Sequence, residues 1–341
     1  MQPRRPSIAR SHRIRRVSAP PHTSIWTQLL RVALAGVLLW LALRGEDLAH
    51  LGRLIAGPSW VWMAVVLALV LVDRSLMAWR WIVLVRVVEP HPRIPARELL
   101  RVFFLSSFVG TVLPGSIGGD AVRAVSASRL GLPTSVGVGS VAVDRLLGTV
   151  SVLVMAVVGL MVVGRWVDSR ILPAVAAIAA VATIGTLVAL FDSRILTRLV
   201  TGIGQGRFPR TERLALKGLA SLRQYGDHRP TLLTVLALSV LVQILRTIQA
   251  WGLGLALGLA ISPLWYFALI PIIVVVLLLP ISVAGIGSGN LAFEQLFALA
   301  GVDAPSALAM SVWFLMLGPI GSVPGGLAAL LTPAKPHTKT P

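Results

Sequence analysis

The sequence contains no cysteine, and only 13 of its 341 residues are acidic. Without cysteine the chain has no disulfide bond, no thiolate metal site and no cysteine nucleophile. Charged residues make up 13% of the chain, where soluble domains carry roughly 25%, and apolar residues make up 56%. A soluble core of this size cannot bury so much apolar surface. Together with the long apolar runs, this composition predicts an all-α polytopic membrane protein.

Sequence motifs of soluble enzymes are also missing. The chain has no G-x-x-x-x-G-K-[ST], no H-E-x-x-H and no G-x-S-x-G sequence. The six histidines all lie in predicted tails or loops, which argues against a histidine-based metal site or proton relay inside the membrane. We therefore expect no catalytic residue, no metal and no cofactor, and the chain is not expected to be an enzyme.

Positive charge is abundant instead, with a formal net charge of +18. It concentrates in the N-terminal tail 1–24, in the segment 192–229 and in the C-terminal tail 333–341. Basic clusters beside apolar spans mark the cytoplasmic side of a membrane protein and favour contact with anionic lipids. This distribution predicts lipid rather than nucleic acid as the partner.

The apolar runs predict six spanning helices at 25–43, 60–79, 135–163, 171–191, 231–251 and 304–331. Two further runs, 99–113 and 264–279, are too short: 15 or 16 residues give about 22–24 Å of helix, and the hydrocarbon core is about 30 Å thick. Each run stops at a Pro- and Gly-rich break and then resumes, at 121–130 and at 290–300. The breaks contain Pro114, Gly115, Ser116, Gly118 and Gly119 in the first run, and Pro280, Ser282, Gly285, Gly287, Ser288 and Asn290 in the second.

Both broken runs are predicted to be re-entrant hairpins. This arrangement places all three basic segments, and with them the N-terminus and the C-terminus, on the cytoplasmic side of the cell (inner) membrane. The predicted organisation is a tail at 1–24, a first membrane repeat at 25–163, an outer loop at 164–170, a second repeat at 171–332 and a tail at 333–341. The alternative is eight plain spans with some unusually charged loops.

An internal repeat connects the two halves. The segment 113–119, LPGSIGG, aligns with 279–285, LPISVAG, and 74–79, RSLMAW, aligns with 246–251, RTIQAW. The offsets of 166 and 172 residues imply one duplication. Three crossings in each half make the second copy inverted, which is a transporter layout with the site at the repeat interface. The alternative is chance similarity between apolar segments.

Charged residues within the apolar stretches are the candidate site. A charge at a helix centre costs roughly 2.5–3.5 kcal/mol on insertion scales, so such groups normally face a cavity. The candidates are Arg74, Arg246, Asp120, Arg123, Glu294, Asp144 and Arg145.

A guanidinium in a wet cavity suits phosphate, and we expect Arg74 and Arg246 to bind phosphate from opposite leaflets. Asp120 and Glu294 would pair with these arginines when the site is empty. The backbone N–H groups at 119–121 and 289–291 are predicted to form a second anion cradle.

Structural roles are the alternative for several of these residues. Arg80 and Arg123 could snorkel to the membrane interface, and Asp144 with Arg145 could simply hold helices together. Asp120 and Asn290 could be ordinary helix N-caps. The small-residue pairs Gly254/Gly258 and Gly321/Gly325 are predicted to be helix-packing faces.

Taken together, these motifs resemble the flippase-like transmembrane region of the lysylphosphatidylglycerol synthase family over about residues 28–332. The matching motifs are Arg74 with the Arg-Trp pair at 80–81, the run from Leu113 to Arg123, D-R-L-x-G at 144–148, and the run from Leu279 to Glu294. The family commonly has Glu at position 144 and an Arg shortly before Glu294, and this chain departs from both features.

The resemblance implies a flippase-like lipid transporter for an aminoacyl-phospholipid or a polyprenyl-phosphate-linked lipid. The chain ends soon after its last span, so we expect no aminoacyl-transferase domain, and a separate lipid-modifying enzyme is a candidate partner. Two alternatives remain: an intramembrane enzyme like a polyprenyl pyrophosphate phosphatase, and a scaffold for an envelope glycosyltransferase complex. Oligomeric state cannot be read from the sequence.

The predicted topology can be tested with a single introduced thiol, because the chain has no cysteine of its own. A cysteine replacing Arg210 should react with a membrane-impermeant maleimide only after the membrane is opened. Labelling of intact cells at this position would contradict a cytoplasmic location for 192–229.

Overall fold

The computed structural model describes residues 25–45, 47–89, 94–112, 117–164, 183–185, 224–226, 228–278 and 285–330. Ten α-helices have defined bounds within these residues. They are α1 (Ile25–Leu43), α2 (Leu48–Ala56), α3 (Trp60–Val88), α4 (Ala96–Val112), α5 (Ile117–Arg129), α6 (Thr134–Val163), α7 (Arg229–Ala256), α8 (Pro263–Leu278), α9 (Ser288–Ala298) and α10 (Ala304–Leu330).

The all-α polytopic membrane architecture is confirmed. Among the described residues, four helices are long and apolar enough to cross a membrane: α3, α6, α7 and α10. They coincide with four of the six predicted spans, although α3 continues to Val88 as one helix of 29 residues. Helix α1 occupies the predicted span 25–43. The predicted span 171–191, the segment 192–229 and both tails lie largely or wholly outside the described residues.

The two short apolar runs form helices that end where the sequence predicts a break. Helix α4 has 17 residues and ends at Val112, and α8 has 16 residues and ends at Leu278. The chain is helical again from α5 and from α9 onward. The break residues Pro114, Gly115, Ser116, Pro280 and Ser282 lie outside the described residues, and re-entry of each hairpin on one side of the membrane stays a prediction.

Helices α4 and α5 pack side by side at a pair of glycines. A Cβ atom on Gly119 would lie 2.7 Å from the carbonyl oxygen of Ser106 and 3.0 Å from the Cα of Gly110. No side chain larger than hydrogen fits between the two backbones there. This contact accounts for the small residues at the start of α5.

The most extensive interface joins α3 and α7, which run antiparallel along their whole length. Residue numbers rise on one helix as they fall on the other. The contacts are Ser59 N–H to the Ala256 carbonyl at 2.7 Å, Val66 against Gly252, Gln249 Nε2 to the Leu69 carbonyl at 3.3 Å, Asp73 with Arg246, and Arg80 with Ser239.

Helices α4, α6, α8 and α10 pack beside this pair. Helix α4 packs on α10, and α6 packs on α8. In both cases a glycine lies against a backbone carbonyl: Gly159 of α6 meets Ala268 of α8, and Gly325 of α10 meets Phe104 of α4. Such contacts let helix backbones approach closely in a membrane, where small residues favour association.

The predicted packing role of the glycine pairs is confirmed for three of the four residues. Gly254 lies against the Tyr266 side chain, Gly321 against Val70 and Gly325 against Phe104. Gly258 is different, because it lies beyond the end of α7 with a φ of +77° and no atom within 4 Å of its Cβ position. Its role is to end the helix in a left-handed conformation that favours glycine.

We expect Gly159→Ala and Gly325→Ala each to destabilise the protein by about 1–3 kcal/mol, as overpacking of a filled interface does. The measurement is the thermal unfolding midpoint of the purified protein in detergent. Gly36→Ala in α1 is the matched control, since nothing lies within 4 Å of its Cβ position. Equal midpoints for all three variants would mean that the helices tolerate a wider spacing.

Candidate functional site

A cavity of about 190 Å³ lies beside the crossing of α3 and α7. Arg74 is at the centre of α3, fourteen residues from each end, and Arg246 is on the facing side of α7. The lining residues are Val70, Asp73, Arg74, Arg246, Gln249, Val274, Leu277, Phe314, Leu315, Leu317 and Gly318. The wall is therefore apolar except for three charges, one amide and the backbone.

The donors of Arg74 are poorly satisfied. One terminal nitrogen lies 3.9 Å from the sulfur of Met77, and the other donates to the Gly318 carbonyl at 3.4 Å. Its Nε is buried without a hydrogen-bond partner, and within the described residues no carboxylate lies in ion-pair distance of the guanidinium. Thioether sulfur is a weak acceptor. A half-buried guanidinium thus faces the cavity with most of its hydrogen-bonding capacity unused.

Arg246 has a carboxylate partner, but a loose one. Its Nε lies 3.6 Å from Oδ1 of Asp73, and a terminal nitrogen contacts the sulfur of Met77 at 3.2 Å. The first distance is an ion pair rather than a hydrogen bond, and Oδ1 of the buried Asp73 has no hydrogen-bond partner. Two guanidiniums and one carboxylate give the cavity a formal charge of +1.

The expectation of two separate half-sites in opposite leaflets is wrong. Arg74 and Arg246 line one cavity and contact the same sulfur of Met77, because the antiparallel packing of α3 and α7 places Asp73 and Arg246 side by side. The expected carboxylate partners are also wrong. Asp73, immediately before Arg74, pairs with Arg246, whereas Asp120 and Glu294 do not line the cavity.

The other charged candidates form a ladder of alternating charge that joins α3, α5 and α6. Arg80 Nε donates to Asp144 at 2.7 Å, and Arg123 bridges Asp144 and Asp120 at 3.2 Å each. Arg145 closes the ladder with two hydrogen bonds to Asp120, at 2.6 and 2.8 Å. A terminal nitrogen of Arg80 donates to Ser239 Oγ on α7 at 2.9 Å, which connects a fourth helix.

The ladder passes from the protein interior to the surface. Arg80, Arg123 and Asp144 are at most 4% exposed, whereas the side chain of Arg145 is 49% exposed. The guanidinium of Arg123 lies 4.7 Å from the Phe103 ring and 5.7 Å from the Trp81 ring. Arg80 and Arg123 are therefore buried and do not snorkel to the membrane interface. Asp144 connects helices, as the alternative structural role predicted.

Asp120 and Asn290 have different local roles. The carboxylate of Asp120 binds arginines of the ladder. The side chain of Asn290 accepts a hydrogen bond from Gly287 N–H at 2.9 Å and donates to Ser311 Oγ at 2.7 Å. It satisfies the start of α9 from inside the helix rather than as the N-cap residue itself.

The predicted anion cradle at 289–291 is wrong. The Gly289 and Leu291 N–H groups donate to the carbonyls of Gly285 and Gly287, at 2.8 and 3.0 Å. Gly287, with a φ of +87°, also lies directly against the Ala35 carbonyl of α1. Two of the three N–H groups of the predicted cradle are therefore occupied, and α1 covers the start of α9.

The remaining predicted residues lie in the first turns of the resumed helices or nearby. Gly118 and Gly119 are in the first turn of α5, and Ser288 is the first residue of α9 and is buried. Glu294 lies further along α9, where Gln295 Nε2 contacts its Oε1 at 3.3 Å. None of these four side chains lines the cavity.

Sequence reasoning missed Asp73, Met77, Gln249 and Gly318 as members of the site. Asp73 precedes Arg74 directly, and Gln249 occupies the repeat position equivalent to Met77, so the repeat carried a usable signal. Gly318 could not be found, because it comes from α10. Within the described parts of the chain, no three histidine, aspartate or glutamate side chains lie close enough to hold a metal ion.

A comparison with models of known protein families shows which family this chain belongs to. The model of the lysylphosphatidylglycerol synthase transmembrane region matches residues 28–318. The chain belongs to this family. No curated protein and no solved structure matches it. The matched region contains all three charges of the cavity and the whole ladder.

The ladder predicts a large stability difference between two single substitutions. Asp144→Asn leaves buried Arg80 without a carboxylate and should cost about 3–5 kcal/mol, as breaking a buried ion pair does. Arg145→Gln removes only the exposed end and should cost less than about 1 kcal/mol. Thermal unfolding midpoints in detergent measure both, and a midpoint of Asp144→Asn equal to the parent's would contradict a structural role.

Proposed function

We propose that this protein is a flippase-like lipid transporter that moves a phosphate-bearing lipid between the leaflets of the cytoplasmic membrane. The observation that carries the proposal is Arg74. It lies at the centre of a membrane-spanning helix, faces a cavity and lacks a carboxylate partner among the described residues. An uncompensated charge at this depth is costly and normally marks a substrate path.

Phosphate is the group that these donors fit. A guanidinium presents a planar fork that binds two phosphate oxygens at once, and a charged acceptor strengthens each hydrogen bond. Arg74 and Arg246 have only the Met77 sulfur, one backbone carbonyl and one loosely paired carboxylate as partners. A lipid phosphate would replace the weak sulfur contacts, while its acyl chains stay in hydrocarbon.

The proposed transport path lies between two inverted repeats. With the offset of 172 residues, the contact of Arg80 with Ser239 predicts a second contact between positions 67 and 252, and Gly252 lies against Val66. With the offset of 166, the contact of Gly159 with Ala268 predicts a contact between positions 102 and 325. Gly325 lies against Phe104, two residues from the predicted position. These swapped pairs support a pseudo-two-fold axis.

That axis would pass between Arg74 and Arg246, where α3 meets its own equivalent α7. A site at the interface of inverted repeats is the usual position for alternating access, because each repeat can rock against the other around it. Helix α8 lines this region through Val274 and Leu277, and we propose that the short helices α4 and α8 supply the moving elements. The ladder instead fixes α5 and α6 to α3, so these three helices of the first repeat would move as one body.

The rest of the assignment follows from this mechanism. We propose no chemical step, membrane lipids as the partners, and both termini on the cytoplasmic side. The family relationship supports a membrane lipid as substrate. A flippase needs binding and conformational exchange, and neither requires a metal or a catalytic base.

The test is lipid flipping by the purified protein in vesicles, followed by dithionite quenching of a fluorescent phospholipid. Arg74→Lys and Arg246→Lys keep the charge but lose the planar fork, so we expect each to lower the flipping rate at least about tenfold, or 1.4 kcal/mol. Arg86→Lys is the matched control, since Arg86 is exposed near the end of the same helix.

Two results would count against the proposal. Parental flipping rates in both cavity variants would make the arginines structural rather than substrate-binding. Parental protein that moves no phospholipid faster than protein-free vesicles do would remove the flippase function itself. Size-exclusion profiles of every variant establish that the compared proteins are folded.

A further inference from the structure

The charge in the cavity is not balanced between the repeats. Arg74 has its equivalent in Arg246, but Asp73 has its equivalent in Leu245, so the second repeat supplies no carboxylate at this position. Among the described residues that line the cavity, Asp73 is the only acidic one. An exact repeat would have placed two arginines and two aspartates in the cavity, with no net charge. The cavity of this chain instead has a formal charge of +1.

We infer that the cavity selects lipids whose headgroup carries a net negative charge, a phosphate without a compensating amine, over aminoacylated lipids with a net positive headgroup. The inference rests on the proposed function and narrows its substrate class. The family is named after lysylphosphatidylglycerol. The headgroup of this lipid carries two ammonium groups and one phosphate.

An ammonium group finds no unpaired carboxylate among the described residues that line this cavity. The carboxylate of Asp73 already faces Arg246, so an incoming amine would compete with a resident guanidinium for a single acceptor. Gln249 donates its side-chain N–H to the Leu69 carbonyl, and its amide oxygen is a neutral acceptor that supplies no compensating charge. Placing a third cation beside Arg74 and Arg246 without a new carboxylate adds like-charge repulsion where water is scarce.

The aromatic and aliphatic residues of the lining do not supply a partner for an ammonium group either. Phe314 is the only aromatic residue among the described residues of the lining, and its ring packs against Phe293 with centroids 5.3 Å apart. The rest of the lining is valine, leucine and glycine beside the polar residues already named. A phosphate, in contrast, accepts from the unused Nε of Arg74 and from both guanidiniums.

The experiment compares three fluorescent lipids with the same acyl chains in phosphatidylcholine vesicles. The probes are phosphatidylglycerol with a headgroup charge of −1, phosphatidylethanolamine with 0 and lysyl-phosphatidylglycerol with +1. We expect flipping rates in this order, with roughly a tenfold difference between the first and the last, which corresponds to 1.4 kcal/mol. Flipping of lysyl-phosphatidylglycerol as fast as phosphatidylglycerol, or faster, overturns the inference.

Charge variants of the cavity test the cause. Arg74→Gln brings the formal charge of the cavity to zero. It should reduce the ratio of the phosphatidylglycerol flipping rate to the phosphatidylethanolamine flipping rate, whatever the absolute rates. Asp73→Asn brings the formal charge of the cavity to +2 and should increase the same ratio. If the Arg74→Gln protein does not insert into the membrane, the Asp73→Asn protein tests the inference alone. Arg86→Gln removes a cation from the exposed side of α3 and should leave the ratio unchanged. Unchanged ratios in both cavity variants overturn the inference.

A binding measurement separates this inference from the proposed function. In detergent micelles, phosphatidylglycerol should raise the thermal unfolding midpoint of the parent protein more than lysyl-phosphatidylglycerol does, because a ligand that binds the folded state stabilises it. If no lipid of any charge flips above the protein-free rate, the flippase function fails. If lipids flip without this charge order, only the selectivity fails.

Discussion

The antiparallel crossing of α3 and α7 is the constraint on which the rest of this structure depends. It brings three charges, Asp73, Arg74 and Arg246, to the middle of the membrane-spanning part. Residues of α8 and α10 complete the wall of the cavity, and the Gly318 carbonyl of α10 accepts a hydrogen bond from Arg74. The pairs α4 with α10 and α6 with α8 then pack around this crossing through glycine–carbonyl contacts.

The same residue types serve two different purposes in this protein. In the ladder, each buried arginine has a carboxylate within 3.2 Å, and Arg145 brings the excess positive charge to the surface. Such a network satisfies its members and holds helices together. In the cavity, the donors of Arg74 meet a sulfur and a carbonyl. In the proposed function this incomplete satisfaction is what an anionic ligand would exploit, because its binding would replace weak partners with strong ones.

Glycine makes both arrangements possible. Backbone contacts at Gly119, Gly159 and Gly325 bring helices so close that a methyl group would collide with a carbonyl. In hydrocarbon, close helix packing has to replace the hydrophobic drive that assembles soluble proteins. At the start of α9 the same closeness covers the backbone N–H groups, which excludes the ligand that a glycine-rich break suggested. A glycine-rich loop therefore indicates close approach, and only the structure identifies what approaches.

The sequence alone determined the membrane class and four spans, because apolar run length is a local property that decides whether a helix can cross a bilayer. Its Pro- and Gly-rich segments located the two breaks, and its short motifs supplied the family resemblance. The aligned Arg-Trp segments also predicted that Arg74 and Arg246 are equivalent. Only the tertiary structure decided that they share one cavity, that Asp73 rather than Asp120 or Glu294 is the nearby carboxylate, and that Arg80 and Arg123 are buried. Ion pairs between helices depend on which faces meet, and the partners here are up to 173 positions apart (Asp73 and Arg246). No local pattern encodes that choice.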